Sequence, residues 1–433
     1  MISYCNCKDS GAPWLGEVPA HWRLERAKWH FSVRNERGNT EPVLLAATQK
    51  NGMYPQEKVE GVVKVADGTD IQQFKTVHKG DFVISLRSFQ GGFECSDYEG
   101  VCSPVYQVFF ADQTVWNNDY LKFLFKDVHF IDAMNALTVG IREGRNIKYE
   151  DFANSLIAIP PRAEQTAIAE YLLSRAQEID NIISEAKASI EEYKAWKATI
   201  IYEAVTKGLD PNVEMTDSGV FWIGNIPANW SVCKTLFALS MPITDGPHTT
   251  PELYDEGVPF VSAEAVSCGN GRIDFDHIRG YISEEFYQEC CLKYIPQRND
   301  IYMIKSGATT GRVSYVDTDI KFTIWSPLAV FRANEKRMYY KYLFYFLQSD
   351  AYQKQVALGW TYGTQQNIGM RTLETLKLCM PPLAEQHRIA DFLDKKCNTI
   401  DSLIEEKTAL VKDLESYKKA LIFEVVTGKR RVC

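Results

Sequence analysis

The 433-residue chain is predicted to be an α+β protein. Two α/β heads are separated by an antiparallel pair of long helices forming a coiled coil, the whole arranged as a pseudo-two-fold internal repeat. Three observations predict this. A helical segment beginning Pro160-Pro161-Arg162-Ala163-Glu164-Gln165 recurs as Pro381-Pro382-Leu383-Ala384-Glu385-Gln386. A Trp- and Gly-rich entrance segment is duplicated ahead of it. Between the copies lie two regions of mixed strand and helix character whose sequences differ. Such repetition constrains architecture before any single motif does.

Taken in order, residues 1–32 contain the first entrance segment, or plug, and residues 209–240 the second. Asp9/Asp217, Gly11/Gly219, Trp14/Trp222, Gly16/Gly224, Pro19/Pro227 and Trp22/Trp230 coincide at an offset of 208. Tryptophans set among Gly and Pro cannot form a helix interior and suit a packed turn. The first head spans 33–159 and the second 241–380. Thr76–Leu86 has a Lys79-Gly80-Asp81 turn before an apolar run, and Val101–Phe110 reads as one strand. Asp300–Ile304 and Phe322–Phe331 follow the same order, with Ser326-Pro327 echoing Ser103-Pro104. One aromatic-rich helix is expected over Tyr120–Leu137 and another over Tyr339–Leu358.

The helical regions are 160–208 and 381–433, at an offset of 221. Since the plugs repeat at 208, the second head is longer by 13 residues while the frame stays in step. A 4-3-4-3 spacing picks out Ile179, Ile183, Ala186, Ile190, Tyr193, Lys197, Ile200 and Ala204. In the second copy it picks out Ile400, Ile404, Lys407, Val411, Leu414, Lys418, Leu421 and Val425, and a heptad seam of this kind marks a coiled coil. A second apolar row lies beside it, with Ile182 and Trp196 in one copy and Leu403, Leu410 and Tyr417 in the other. That face is too wide for a two-helix seam and calls for a further packing partner. The 27 residues from Ile179 to Val205 would make a rod of about 40 Å. The Ala-Glu-Gln segment is expected to form a separate short helix capping the head, and Lys207-Gly208 and Gly428-Lys429 to end the two copies.

Composition narrows the function. Apolar residues make up 45% and the net charge is −8, which argues against a wholly basic surface but allows a local basic cleft. No apolar run approaches the roughly 20 residues of a membrane span, so no membrane association is expected, and no secretory signal is seen. Eleven cysteines at irregular spacings, with no paired C-x-x-C, read as reduced thiols of a cytoplasmic protein, and no metal site is expected. The histidines are dispersed. Gly307-Ala308-Thr309-Thr310-Gly311-Arg312 lacks the Gly-Lys-Ser/Thr ending of a phosphate loop. No catalytic residue is therefore assigned.

What remains are polar, locally basic loops. In the first head the candidates are Thr48, Gln49, Lys50, Arg87, Gln90, Arg142, Arg145 and Asn146. In the second they are His248, Thr249, Thr250, Lys305, Thr309, Thr310, Arg312, Tyr362, Gln365, Gln366 and Asn367. Gln and Asn can bond adenine bidentately, Arg and Lys can bond guanine, and Gly-Ser-Thr loops can approach phosphates. Tight turns and surface ion pairs would use the same residues without any ligand.

The duplicated D-S-G-x-x-W-x-G-x-x-P-x-x-W plugs, the duplicated P-P-x-A-E-Q helices running on to Val205-Thr206 and Val426-Thr427, and the head motifs Gly80-Asp81-Phe82 and Ser103-Pro104 together resemble the specificity subunit of type I restriction-modification enzymes, over the whole length. The resemblance implies two target-recognition domains, each reading one half of a bipartite, asymmetric site on double-stranded DNA. It implies that the helices set the spacer and dock two modification (methyltransferase) subunits, and that two restriction (motor-nuclease) subunits join for cleavage. The chain itself would be non-catalytic and cofactor-free, with S-adenosylmethionine, ATP and Mg²⁺ on the partner subunits. The docking residues expected are Ile179, Ile183, Ile190, Tyr193, Trp196, Ile200, Ile400, Ile404, Val411, Leu414, Tyr417 and Leu421. The competing readings are an oligomerisation scaffold that reads no DNA and an enzyme with an unrecognised nuclease site.

Overall fold

The computed structural model of the chain describes residues 4–37, 43–48, 51–59, 71–85, 92–137, 147–360 and 366–432. The chain divides into two compact units, one of Met1–Lys187 with Thr408–Cys433 and one of Ala188–Lys407. Each unit therefore combines one head, the start of the long helix that follows it, and the end of the other long helix.

The plugs fold as short hairpins, Cys7–Asp9 against Glu17–Pro19 and Met215–Asp217 against Asn225–Pro227. The next strand of each, Arg23–Arg26 or Ser231–Lys234, pairs antiparallel with the last strand of its head, Leu156–Ile159 or Lys377–Met380. The first and last strands of a head thus close on each other just before the long helix begins. The indole N–H of buried Trp22 donates to Glu164 at 3.0 Å, and that of Trp230 to Glu385 at 3.1 Å. Glu164 also accepts from the Tyr4 hydroxyl at 3.0 Å and meets His21 Nε2 at 2.6 Å. Burial pushes the Glu164 carboxyl up, but the bonds from Trp22, His21 and Tyr4 outweigh it and hold it below its ordinary range.

The neighbouring glutamines do equivalent work. Buried Gln165 donates to the Pro160 and Val115 carbonyls and accepts from the Asn117 amide. Buried Gln386 donates to the Pro381 and Arg337 carbonyls and accepts from the Tyr339 amide. Each side-chain amide satisfies three backbone groups that would otherwise be buried unpaired.

The Ala-Glu-Gln segment is not a separate helix. One continuous helix runs Arg162–Lys207 over 46 residues and its counterpart Leu383–Val426 over 44. Neither span holds a Gly or Pro to interrupt it. Both stop at a glycine in the left-handed region, Gly208 at φ +76° and Gly428 at +72°. A side chain at 428 would come within 2.3 Å of Pro19 and 3.0 Å of Trp22, and one at 208 within 3.2 Å of Trp230. Each plug is therefore held between the start of one long helix and the stop of the other.

Within the first unit Asp180 pairs with Lys418 and Lys187 with Glu415, so the two helical stretches run antiparallel. Within the second, Lys197 pairs with Asp401, and the Gly208 end lies beside Glu385. Asp180–Lys418 and Asp401–Lys197 are the same pair at the offset of 221. They account for lysines in an otherwise apolar seam, since each ammonium has a carboxylate from the facing helix at 2.6 Å. The seam residues are all buried or half-buried. In the second row Ile182, Trp196, Leu410 and Tyr417 are exposed.

The heads share a four-stranded antiparallel sheet. The order in the first is Phe31–Arg34, Gln107–Ala111, Phe82–Ile84, Phe93–Cys95. In the second it is Thr244–Asp245, Leu328–Phe331, Ile301–Ile304, Val313–Tyr315. Val101–Phe110 is not one strand: Gly100–Cys102 and Gln107–Ala111 belong to different sheets, parted at Ser103-Pro104. Thr323–Ile324 and Leu328–Phe331 are parted the same way at Ser326-Pro327, because a proline has no N–H for a ladder. The aromatic helices are also divided, Asn118–Leu124 from Val128–Ala136 and Tyr340–Gln348 from Asp350–Leu358. Asp127 makes the first break by accepting the Phe130 amide as an N-cap. Buried Asp81 and Asp300 open equivalent strands, each held bidentately by an arginine, Arg34 and Arg332 respectively.

The two rod pairs differ in burial, with the carboxylate of Asp401 20% exposed and that of Asp180 53% exposed. Asp401→Asn leaves Lys197 uncompensated in the seam and should cost about 1–2 kcal/mol, whereas Asp180→Asn should cost distinctly less. Denaturant unfolding of the two variants measures the difference, and Lys197→Met with Asp401→Leu should recover most of the loss.

Candidate nucleic-acid interface

In the second head, three candidate segments far apart in sequence come together. Lys305 ends the strand Ile301–Ile304 and opens the hairpin that returns as Val313–Tyr315. Its backbone is fixed on both sides, the amide donating to the Pro327 carbonyl at 2.8 Å and the carbonyl accepting from Ile368 at 2.9 Å. Ser306 bridges Asn367, and the Gly307 amide donates to the Gln366 carbonyl at 3.0 Å. The hairpin tip and the Gln366–Asn367 segment thus form one continuous polar surface.

The tip is shaped by its own bonds. The Thr310 hydroxyl donates to the Gly307 carbonyl at 2.7 Å, and Gly311 at φ +95° donates to the Ile304 carbonyl. Arg312 is exposed and donates to the Ser267 carbonyl at 3.2 Å, with no carboxylate partner among the described residues. Thr309 is half-buried beside it. Behind the tip lies a polar cavity of about 350 Å³, lined by Ser267, Asn270, Thr310, Arg312, Gln348 and Gln353.

The third segment enters through Asp245. Its buried carboxylate meets Lys293 on one oxygen, and His248 at 3.2 Å and Lys305 at 3.3 Å on the other. Burial pushes the carboxyl up, but Lys293 and Lys305 prevail and lower it from its ordinary value. His248, Thr249 and Thr250 are exposed. Next to Asp245, Gly246 packs so tightly that a Cβ would lie 2.0 Å from the Ile324 carbonyl oxygen. Lys293 was not singled out from the sequence. It sits after Cys290-Cys291-Leu292, and nothing local links it to residue 245.

In the first head, Thr48 ends the strand Leu45–Thr48, and its hydroxyl donates to the Gly52 carbonyl at 2.9 Å and accepts the Asn51 amide. Thr48 therefore serves a hairpin turn. Gln49, Lys50, Arg87, Gln90, Arg142, Arg145 and Asn146 lie outside the described residues, as do Tyr362 and Gln365 of the second head. Among the expected docking residues, Ile179, Ile183, Ile190, Ile400, Val411 and Leu421 are buried in the rod. Tyr193, Ile200, Ile404 and Leu414 are half-buried, and Trp196 and Tyr417 are half-exposed at equivalent positions. No group of three His, Cys, Asp or Glu among the described residues is arranged to hold a metal ion, and no described helix is long and apolar enough to cross a membrane.

Residues 247–412 match the model of the type I restriction modification DNA specificity domain. The MjaVIII type I restriction enzyme specificity subunit of Methanocaldococcus jannaschii is 25% identical over 297 residues, 67% of this chain and 66% of that one. A second protein of the same organism, named for the MjaX specificity subunit, is 29% identical over 279 residues, 64% of this chain. The chain spans only 59% of the length of that relative. Two solved structures share the fold at 16% identity. One is a chain from work on complex assembly and conformational transition of a type I R-M system, with TM-score 0.71 over 94% of this chain and 98% of that one. The other is the HsdS subunit from Thermoanaerobacter tengcongensis, with TM-score 0.53 over 95% and 98%. Two sheet-and-helix heads on a duplicated helical frame are the fold shared with those structures, and the DNA specificity domain model covers most of the second head and the first part of the helix that follows it. The chain is similar to type I restriction enzyme specificity subunits over about two thirds of its length.

The tight packing at Gly246 makes a prediction for the second head. Gly246→Ala must displace backbone and should destabilise the second unit by more than about 2 kcal/mol. Gly219→Ala, with φ +70° but open space around it, should cost only about 1 kcal/mol. Thermal unfolding of the two variants side by side checks the order.

Proposed function

We infer that the chain is the sequence-reading subunit of a type I restriction-modification complex, each head contacting one half of a bipartite site on double-stranded DNA. The observation that carries this reading is the convergence of Asp245–Thr250, Lys305–Arg312 and Gln366–Asn367 into one polar surface with surplus positive charge, in a chain whose net charge is −8. Exposed Arg312, Thr249, Thr250, Gln366 and Asn367 supply the donors and acceptors that base edges and phosphates require. The heads share a sheet but differ in loop chemistry, which suits two different half-sites. The similarity to specificity subunits and the match to a DNA specificity domain favour this over a scaffold that reads no DNA.

In this reading the rod holds the heads at a set spacing, and its exposed row is the dock. Trp196 and Tyr417 occupy equivalent positions, and a half-exposed aromatic on a helix is a common anchor for a protein partner. Two modification subunits would seat there, one on each copy, with two restriction subunits completing the assembly. The chain would contribute no catalytic group. S-adenosylmethionine, ATP and Mg²⁺ would bind the partners.

Two experiments bear on the two halves of the proposal. Replacing residues 33–159 with the corresponding head of a type I specificity subunit should change one half of the methylated motif and leave the other intact. A motif altered in both halves, or none at all, would refute independent reading. Inserting four residues of helix-forming sequence near Ala188 adds about 6 Å of helix and should lengthen the unread spacer by about two base pairs. An unchanged spacer in active complexes would remove the rod as a ruler.

A further inference from the structure

Asp245, Lys293, Lys305 and His248 come from three separate segments, and their charges do not balance. Two ammonium groups face one carboxylate, with an imidazole beside them. Asp245 is 1% exposed, so its charge is available only to these neighbours. The Lys305 side chain is 12% exposed and the Lys293 side chain 47%. The more covered ammonium needs the counter-charge more, because desolvation without a partner is costly. Asp245 therefore offsets only one of the two positive charges, and the excess charge is most accessible at Lys293, the more exposed of the two ammonium groups. Lys293 is not loose: besides Asp245 it reaches the Gly246 carbonyl at 3.3 Å. Gly246 is itself immobilised against Ile324. A fixed, half-exposed ammonium with incomplete compensation is a ready partner for an anion.

The position of the cluster indicates which anion. Lys305 is the first residue of the hairpin whose tip carries Thr309, Thr310 and Arg312, and its carbonyl is bonded to Ile368, directly after Gln366–Asn367. A duplex contacted by those side chains would bring its backbone close to the base of the same hairpin, and the anion it offers there is a phosphate.

We propose that Lys293, with exposed His248 beside it, forms a backbone-phosphate site that seats the second head on DNA, and that buried Asp245 is the positioning residue that holds Lys293 and Lys305 in place. The site rests on the DNA-reading function proposed above and adds to it a contact that carries affinity but no sequence information. Asp245 acts through the lysines and does not touch DNA.

The test uses the chain assembled with its modification subunits and measures binding to a duplex carrying the methylated motif and to an unrelated duplex across a range of salt concentrations. Lys293→Gln should weaken both complexes by the same factor and reduce the slope of log affinity against log salt by about 1, the share of one phosphate. The methylated motif should be unchanged, and Lys293→Arg should restore the slope. Asp245→Asn should lower affinity at unchanged assembly, whereas Asp319→Asn, an exposed carboxylate paired with Arg298, should do nothing. An unaltered salt slope in Lys293→Gln, with the unmodified complex still binding its motif, overturns the phosphate site and leaves the reading function standing. A changed motif in Lys293→Gln also overturns it, because the side chain would then be reading a base. Failure of the unmodified complex to bind any duplex would remove both proposals.

Discussion

One ion pair, made twice, sets the frame. Asp180 faces Lys418 in the first unit and Asp401 faces Lys197 in the second, the two being images of each other at the repeat offset. Each pair joins the early part of one long helix to the late part of the other, in antiparallel register. A one-residue slip would set Lys197 and Lys418 against Ile400 and Ile179 in one direction, or against Ser402 and Asn181 in the other, and in either case part each lysine from its carboxylate. The same crossing of repeats recurs in the heads. The Tyr120 hydroxyl donates to the Val426 carbonyl at 2.8 Å, and that of Tyr342 to the Val205 carbonyl at 3.0 Å. Each head is therefore completed by the helix end belonging to the other repeat.

This constraint explains the plug. Its tryptophan donates to the glutamate at the start of one long helix, and its Pro-Trp pair packs on the glycine that stops the other. Gly208 and Gly428 are needed both for their positive φ and for the space they leave. With the frame held this firmly, the loops on the far ends of the sheet strands are free to differ between the heads. A recognition protein needs that division between a fixed support and variable contacts.

Much of this was legible in the sequence because repetition reports tertiary roles. The seam was visible as a 4-3-4-3 spacing, but Asp180 and Asp401, the carboxylates that answer its lysines, lie outside that spacing. The continuity of the long helices was not foreseen, since the apolar spacing starts only at Ile179 while the absence of any Gly or Pro from residue 162 onward is what decides it. The breaks at Ser103-Pro104, Asp127 and Ser349 were missed for the opposite reason. A short polar interruption inside an apolar run carries little weight in periodicity, yet one missing N–H or one capping carboxylate ends an element. At the site, the three loop segments of the second head were recognisable by composition. Their meeting, and the part played by Lys293, depend on contacts across 48 positions, which no local pattern encodes.

The claim that one chain carries two independent readers, one in each repeat, is the central one. Its most direct test is genome-wide sequencing of methylated adenines in a host that carries this chain with its modification subunits, compared with the same host lacking the chain. A single asymmetric motif of two short specified halves around an unspecified spacer, lost when the chain is removed, is the predicted result. A contiguous motif, a symmetric one, or methylation that persists without the chain would contradict it.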